Sequence, residues 1–172
     1  MAEFRFTCGL PETACGLGST LRFTAHLRAE LPGLLRRLNV WTLLDAPCGD
    51  FNWMSHVDLQ FMSYTGGDIA HDHLATAAEN AARAGLDGPA FVSFITLDLM
   101  AETPPKAGVM MCRDFLQHLP NASVIEVLRG FFRSGTPWLL ATSHHAEAND
   151  DLVEAGGFRP LDLTKPPISL PP

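Results

Sequence analysis

An open α/β fold, with a doubly wound and mostly parallel sheet and helices on both faces, is what this sequence predicts. Three observations carry that expectation. Short apolar runs alternate with helical patterns along most of the chain. Four of those runs lead into an aspartate, at Asp45, Asp68, Asp98 and Asp114. The first, Leu43-Leu44-Asp45, enters the small-residue turn Ala46-Pro47-Cys48-Gly49 and then a helix-like stretch. Parallel strands need a covering element at every crossover, which is what such alternation supplies. Sheets of this kind hold ligands outside the carboxyl ends of their strands.

Taken in order, Ser19 can cap a helix over Thr20–Glu30. Pro32 suits a first helical position, so a kink and a second short helix over Gly33–Leu38 are expected. Val40–Ala46 is apolar without alternation, as a strand buried on both faces should be. Asn52–Leu59 reads as a brief helix and Phe61–Gly66 as the second strand. Asp72–Ala84 is an alanine-rich helix that stops at Gly85. Phe91–Leu97 and Val109–Cys112 are the third and fourth strands, joined by the short proline-containing connector Met100–Gly108. Asn121–Arg133 sets Val124, Val127, Leu128 and Phe131 at helical spacing, and Trp138–Thr142 is the fifth strand. Of the 30 residues after Thr142 five are proline, and no further helix is legible there. One domain is expected, with an N-terminal helical segment (1–39), a core (40–145) and a proline-rich tail (146–172).

Composition narrows the partners. The chain has 172 residues, 47% of them hydrophobic and 18% charged, which favours a globular domain over disorder. It carries 19 acidic against 12 basic residues and no Lys/Arg run, so a nucleic-acid backbone is a poor partner. Its four cysteines form no CxxC pair and read as free thiols in a reducing cytosol. The start, Met1-Ala2-Glu3-Phe4-Arg5-Phe6, lacks the layout of a secretory signal. No apolar run approaches the roughly 20 residues that span a bilayer. A cytoplasmic protein with a small-molecule substrate is expected, free of membrane and nucleic acid.

An aspartate after a strand is ordinarily a turn former or a helix cap. Four at one edge of a sheet suggest binding. Asp68, after the second strand, is placed to accept ribose hydroxyls, and Asp98 an adenine amino group. The first turn has one glycine where a dinucleotide fold has three, and Asp50 would repel a pyrophosphate. A nucleoside without phosphates, carrying a positive centre, fits better, which points to S-adenosylmethionine (SAM).

Asp114 and His118 stand four residues apart, so on a helix they face the same way and can orient and deprotonate a hydroxyl. The plainer reading has Asp114 capping the turn Phe115–Leu119, with His118 a partly exposed helix residue. One of the adjacent His144 and His145 is expected to point away from the site. Asn149 and Asp151 either touch substrate or order their loop. Ser19 and Thr20 can close over the cofactor. Asp68, His71, His73, His144 and His145 are metal-ligand types, but rings at 71 and 73 splay apart and no HExxH occurs, so no metal is assigned. Trp41, Trp53 and Trp138 read as core or pocket wall.

Residues Leu44-Asp45-Ala46-Pro47-Cys48-Gly49-Asp50-Phe51-Asn52-Trp53-Met54 resemble the motif I variant of a bacterial group of class I SAM-dependent methyltransferases. So do Gly16–Thr20, Tyr64–Ile69, Cys112-Arg113-Asp114-Phe115-Leu116-Gln117-His118-Leu119, Asn149–Leu152, and Phe158–Leu163 with Pro166-Pro167. The resemblance spans about residues 16–172. It implies a Rossmann-like fold in which Asp45, Ala46, Cys48 and Gly49 surround the methionine part of SAM. Asp68 with Ile69 would hold the ribose, Asp98 with Leu99 would flank the adenine, and Cys112 and Arg113 would line the floor near the sulfonium. The activity implied is methyl transfer to an oxygen or nitrogen of a small molecule, a saccharide or secondary metabolite; the alternatives are a SAM-binding module without turnover and a metal-dependent hydrolase. Thr142-Ser143-His144-His145 departs from the group's pattern. The antiparallel hairpin with which the class closes its sheet is not legible before Pro172, so the fifth strand's edge is expected to be capped by the tail or by a second subunit of a homo-oligomer.

Overall fold

Five short strands meet because their apolar side chains alternate between two faces that both need covering. A computed structural model of the chain describes residues 12–59, 62–86 and 91–171. The strands are β1 (Thr42–Asp45), β2 (Ser63–Asp68), β3 (Val92–Thr96), β4 (Val109–Cys112) and β5 (Trp138–Ala141). All pairings are parallel, in the order β3-β2-β1-β4-β5. Phe61, the expected start of the second strand, lies outside the described residues.

Along β1, Leu43 and Leu44 point to opposite faces. Leu43 pairs in register with Tyr64 and Val109 and joins one core with Met111. Helices α1 (Ala25–Arg37) and α2 (His71–Arg83) close that core with Leu31, Leu35, Ala77 and Ala81. Leu44 neighbours Met110 and enters the other core with Cys112. Helix α3 (Asn121–Ser134) covers it with Val124, Val127, Leu128 and Phe131. The α2 crossover runs from β2 outward to β3, and the α3 crossover runs the other way from β4 to β5. A right-handed crossover in opposite directions puts the helices on opposite faces.

Three helical expectations are corrected. Pro32 lies inside one continuous α1 rather than starting a second helix after a kink. Its ring is buried beside Leu31 and Leu35, and that packing outweighs the lost amide bond. Ser19 does not cap α1; it closes the 3-10 turn Leu17–Ser19, and α1 begins after Thr24. The helix expected over Asn52–Leu59 shrinks to a 3-10 turn at Met54–His56.

The tail adds no helix or strand among the described residues. It buries Leu161 and Leu163 in the α3-side core instead. It meets the chain just past β5, where the His144 amide donates to the Leu161 carbonyl at 2.7 Å and the Leu163 amide to Ser143 Oγ at 3.1 Å. Hence the tail does not cap β5 itself, and among the described residues no strand pairs with its outer side. The Thr142 amide bonds inward to the Cys112 carbonyl. By alternation the amides of Leu139 and Ala141 face outward. We expect these two amides to exchange rapidly with deuterium in dilute solution while Leu140 is protected. Equal protection of all three would show that the edge is covered.

Candidate functional site at the carboxyl edge of the sheet

The strand order turns outward in both directions from the β1–β4 pair, so the crevice where such sheets take ligands opens beyond Asp45 and Cys112. β1 and β2 end there side by side, in Asp45 and Asp68. After Asp45 the chain reverses through Gly49, at φ 58°, where a side chain would be strained. A Cβ there would also lie 2.6 Å from Cys15 Sγ. The turn is stitched to β2: the Cys48 amide donates to the Gly67 carbonyl and the Gly49 amide to Asp68 Oδ2, both at 2.9 Å. Asp68 Oδ1 accepts from the Ala70 amide, also at 2.9 Å.

Asp45 is 3% exposed and accepts the Tyr64 hydroxyl at 2.8 Å. Burial pushes its pKa up to about 7, while the Tyr64 bond and the Arg113 charge pull it down. Burial also raises the Tyr64 phenol and the thiols of Cys48 and Cys112, and it takes Cys15 up to about 12. These thiols stay protonated near neutrality, which makes them packing groups rather than nucleophiles.

A strap formed by residues 13–20 crosses the turn. Asp50 Oδ2 accepts from the Thr13 hydroxyl at 2.6 Å and the Ala14 amide at 3.0 Å, and its Oδ1 accepts from the Asn52 amide at 3.1 Å. Asn52 Nδ2 donates to the Ser19 carbonyl at 3.0 Å, and Asn80 Nδ2 to the Asp50 carbonyl at 2.7 Å. At the far side Arg113 Nη2 donates to the Gly18 carbonyl at 2.7 Å. The Arg113 guanidinium sits 5.4 Å above the Trp53 ring and pairs with Asp114 at 2.9 Å. Asp50, read from sequence as a group that repels phosphate, is thus the anchor of the strap.

Asp114 takes a left-handed conformation, φ 50°, and its amide donates to Thr142 Oγ1 at 2.9 Å. Its carboxylate accepts from Gln117 Nε2 at 3.3 Å. The helix that would align Asp114 with His118 is instead a 3-10 turn at Leu116–His118 that leaves Asp114 outside, so the expected i,i+4 pairing is corrected. His118 Nδ1 lies 2.7 Å from the Gly157 carbonyl. His144 is half-buried and His145 exposed, so the two rings do diverge. Asn149 and Asp151 order their loop: Asn149 bonds the backbone of Asp162, and Asp151 accepts the amides of Asn121 and Leu152.

The structure thus gathers Asp45, Ala46, Cys48, Gly49 and Asp68 around one turn, with Cys112 buried beside Asp45 and Arg113 under the strap. Ile69 is 52% exposed next to Asp68. Asp98 holds a turn by accepting the Met100 amide at 2.9 Å, and Leu99 is buried in the α3-side core. His71 Nδ1 lies 3.5 Å from Thr96 Oγ1, whereas His73 Nδ1 lies 3.8 Å from Asp68 Oδ2, and this carboxylate raises the His73 pKa. Among the described residues no three His, Cys, Asp or Glu side chains are grouped to hold a metal, and no helix is long and apolar enough to cross a membrane. Sequence reasoning missed Tyr64, Thr13 and Asn80. The one usable signal was Tyr64, the single tyrosine of the chain, set within a strand.

No protein-family model matches the sequence, and no curated protein matches it. Solved structures do. The methyltransferase domain of bacterial CtHen1 superposes with a TM-score of 0.58 at 15% identity, over 69% of this chain and 65% of that one. Magnesium protoporphyrin IX methyltransferase from Synechocystis PCC 6803, solved with bound SAH, gives 0.53 at 21% identity, over 63% and 48%. The dimethyltransferase RosA from Streptomyces davawensis gives 0.59 at 14% identity, over 76% and 40%. The fold is that of the class I methyltransferases. The chain spans less than two thirds of each of these proteins. In this methyltransferase fold Asp45 ends the strand at the switch point, and Asp68 ends its neighbour β2.

Asp45 gives a pH signature. Its folded pKa of about 7 exceeds the ordinary 3.8, so between about pH 4 and 7 the native state holds a proton that the unfolded chain has lost. Stability from this group therefore falls as pH rises through that window and is level above it. We expect Asp45→Asn to remove a slope of at most about 4 kcal/mol across the window, measured by urea unfolding at several pH values. An identical slope in the variant would reject the buried-carboxylate account.

Proposed function

We propose that this chain binds SAM at the β1 turn and transfers its methyl group to an oxygen or nitrogen of a small molecule, with a saccharide or secondary metabolite as the acceptor class. The observation that carries the reading is the set of buried carboxylates Asp45, Asp50 and Asp68 around a one-glycine turn, with the Arg113 charge acting on Asp45. Asp68 keeps acceptor capacity after its two backbone bonds, since a carboxylate has about four lone-pair sites. That suits a ribose diol. Asp45, pushed toward neutrality by burial, is returned to its charged form by a cation, which suits a sulfonium or ammonium and not a pyrophosphate. The bound SAH of the Synechocystis protein supports the same ligand class.

SAM would supply an electrophilic methyl group there. The chain's own work is alignment and exclusion of water. The strap held by Asp50 and Arg113 covers the crevice, and Asp114, fixed by Arg113 and Thr142, is placed to orient the acceptor. His118 is the group to take a proton where the acceptor has one to lose. The open edge of β5 offers a second copy of the chain a place to pair, and the free thiols Cys15, Cys48 and Cys112 suit a reducing cytosol.

Calorimetry with SAM and with SAH tests the reading: both bind, and binding of neither rejects it. Asp68→Ala weakens SAM by about 1–3 kcal/mol through loss of charged hydrogen bonds. Unchanged affinity takes Asp68 out of the site.

A further inference from the structure

We infer that Phe158 is the platform on which the acceptor stacks, so that the acceptor is a hydroxyl-bearing ring with one apolar face. This rests on the methyltransferase reading above and adds the shape of its substrate.

Phe158 is 63% exposed, yet the backbone beneath it is fixed on both sides. Before it, the Gly156 amide donates to the His118 carbonyl at 2.8 Å, and the Gly157 carbonyl faces His118 Nδ1 at 2.7 Å. After it, the Arg159 amide donates to the Gln117 carbonyl at 3.3 Å. The Arg159 side chain, 5% exposed, reaches in to the Leu119 carbonyl and to Asn121 Oδ1 at 2.9 and 2.8 Å. Leu161 and Leu163, a few residues on, turn into the core. The same tail exposes Val153 as well, but Phe158 is the aromatic ring it presents, on backbone that is bonded on both sides.

Its neighbours are aromatic and polar. The His118 and His144 rings lie 5.8 and 5.9 Å from the Phe158 ring, tilted at 57° and nearly perpendicular at 85°. The Leu161 amide donates to His144 Nδ1 at 3.3 Å, so a neutral His144 carries its proton on Nε2 and is a donor there. An apolar face bordered by imidazole is the complement of a ring that has a stackable face and hydroxyls at its rim. The position is also right. Gln117, whose carbonyl takes the Arg159 amide, donates its side-chain amide to Asp114 at the mouth of the crevice. A phenol and a pyranose both have this chemistry.

The test titrates the SAH-loaded chain with catechol, methyl glucoside and glycerol, read by saturation-transfer NMR. One of the two ring compounds is expected to bind with saturation strongest on its ring C–H groups, and glycerol is expected not to bind. Whichever ring binds names the source. Phe158→Ala should weaken it about 3- to 10-fold and Phe158→Trp should restore it, with the amide spectrum away from residues 157–159 reporting that each variant is folded. Binding of neither ring to the SAH-loaded chain overturns the inference alone. So does ring binding that Phe158→Ala leaves unchanged, which is adventitious. Failure of SAH to bind the wild-type chain overturns the methyltransferase reading and this inference with it.

Discussion

A carboxylate buried at the end of the central strand is the group on which the rest of this site depends. Asp45 can remain there only because Tyr64 donates to it from β2 and because burial holds its proton up to about pH 7. Both conditions need the parallel register that sets Leu43 beside Tyr64. The same register brings Asp68 to the end of β2, where it accepts the Gly49 amide and fixes the turn. Packing of aliphatic side chains in the sheet thereby determines the electrostatics at its edge.

The chain covers that edge from both of its ends. From the amino side, Asp50 and Arg113 hold the strap by bonds to its backbone at Ala14 and Gly18. From the carboxyl side, Asn121 and His144 bond to the tail around Phe158 and Arg159. On the carboxyl side burial of Leu161 and Leu163 in the α3-side core adds to these bonds. The two covers differ in character. The strap is drawn toward a turn of buried carboxylates, and the tail presents an aromatic ring flanked by imidazoles.

The parts legible in sequence were those governed by periodicity. All five strands and the helices α2 and α3 stand within a few residues of their expected places, because unbroken apolar runs and helical spacing report burial directly. Pro32 misled, since its local preference gave way to packing of the same helix face. The spacing of Asp114 and His118 misled only as to their alignment, because a spacing of four is informative on a helix and the segment folds as a 3-10 turn. The tail and the strap were opaque for a different reason. They are held by side-chain-to-backbone bonds between residues far apart in sequence, such as Asn52 to Ser19 and Asn149 to Asp162, and no local pattern encodes those. Of the strand-end aspartates, Asp45 and Asp68 converge on the turn while Asp98 closes its own.

On the proposed function, Asp45 is a buried acid whose charge a cationic ligand restores. The most direct measurement is the heat of SAM binding at pH 7 in buffers of different ionisation enthalpy, for the wild-type chain and for Asp45→Asn. The slope gives the protons exchanged on binding. The account predicts that the wild-type chain releases more protons than the variant, by a fraction of one per site. Equal slopes for the two chains would contradict it.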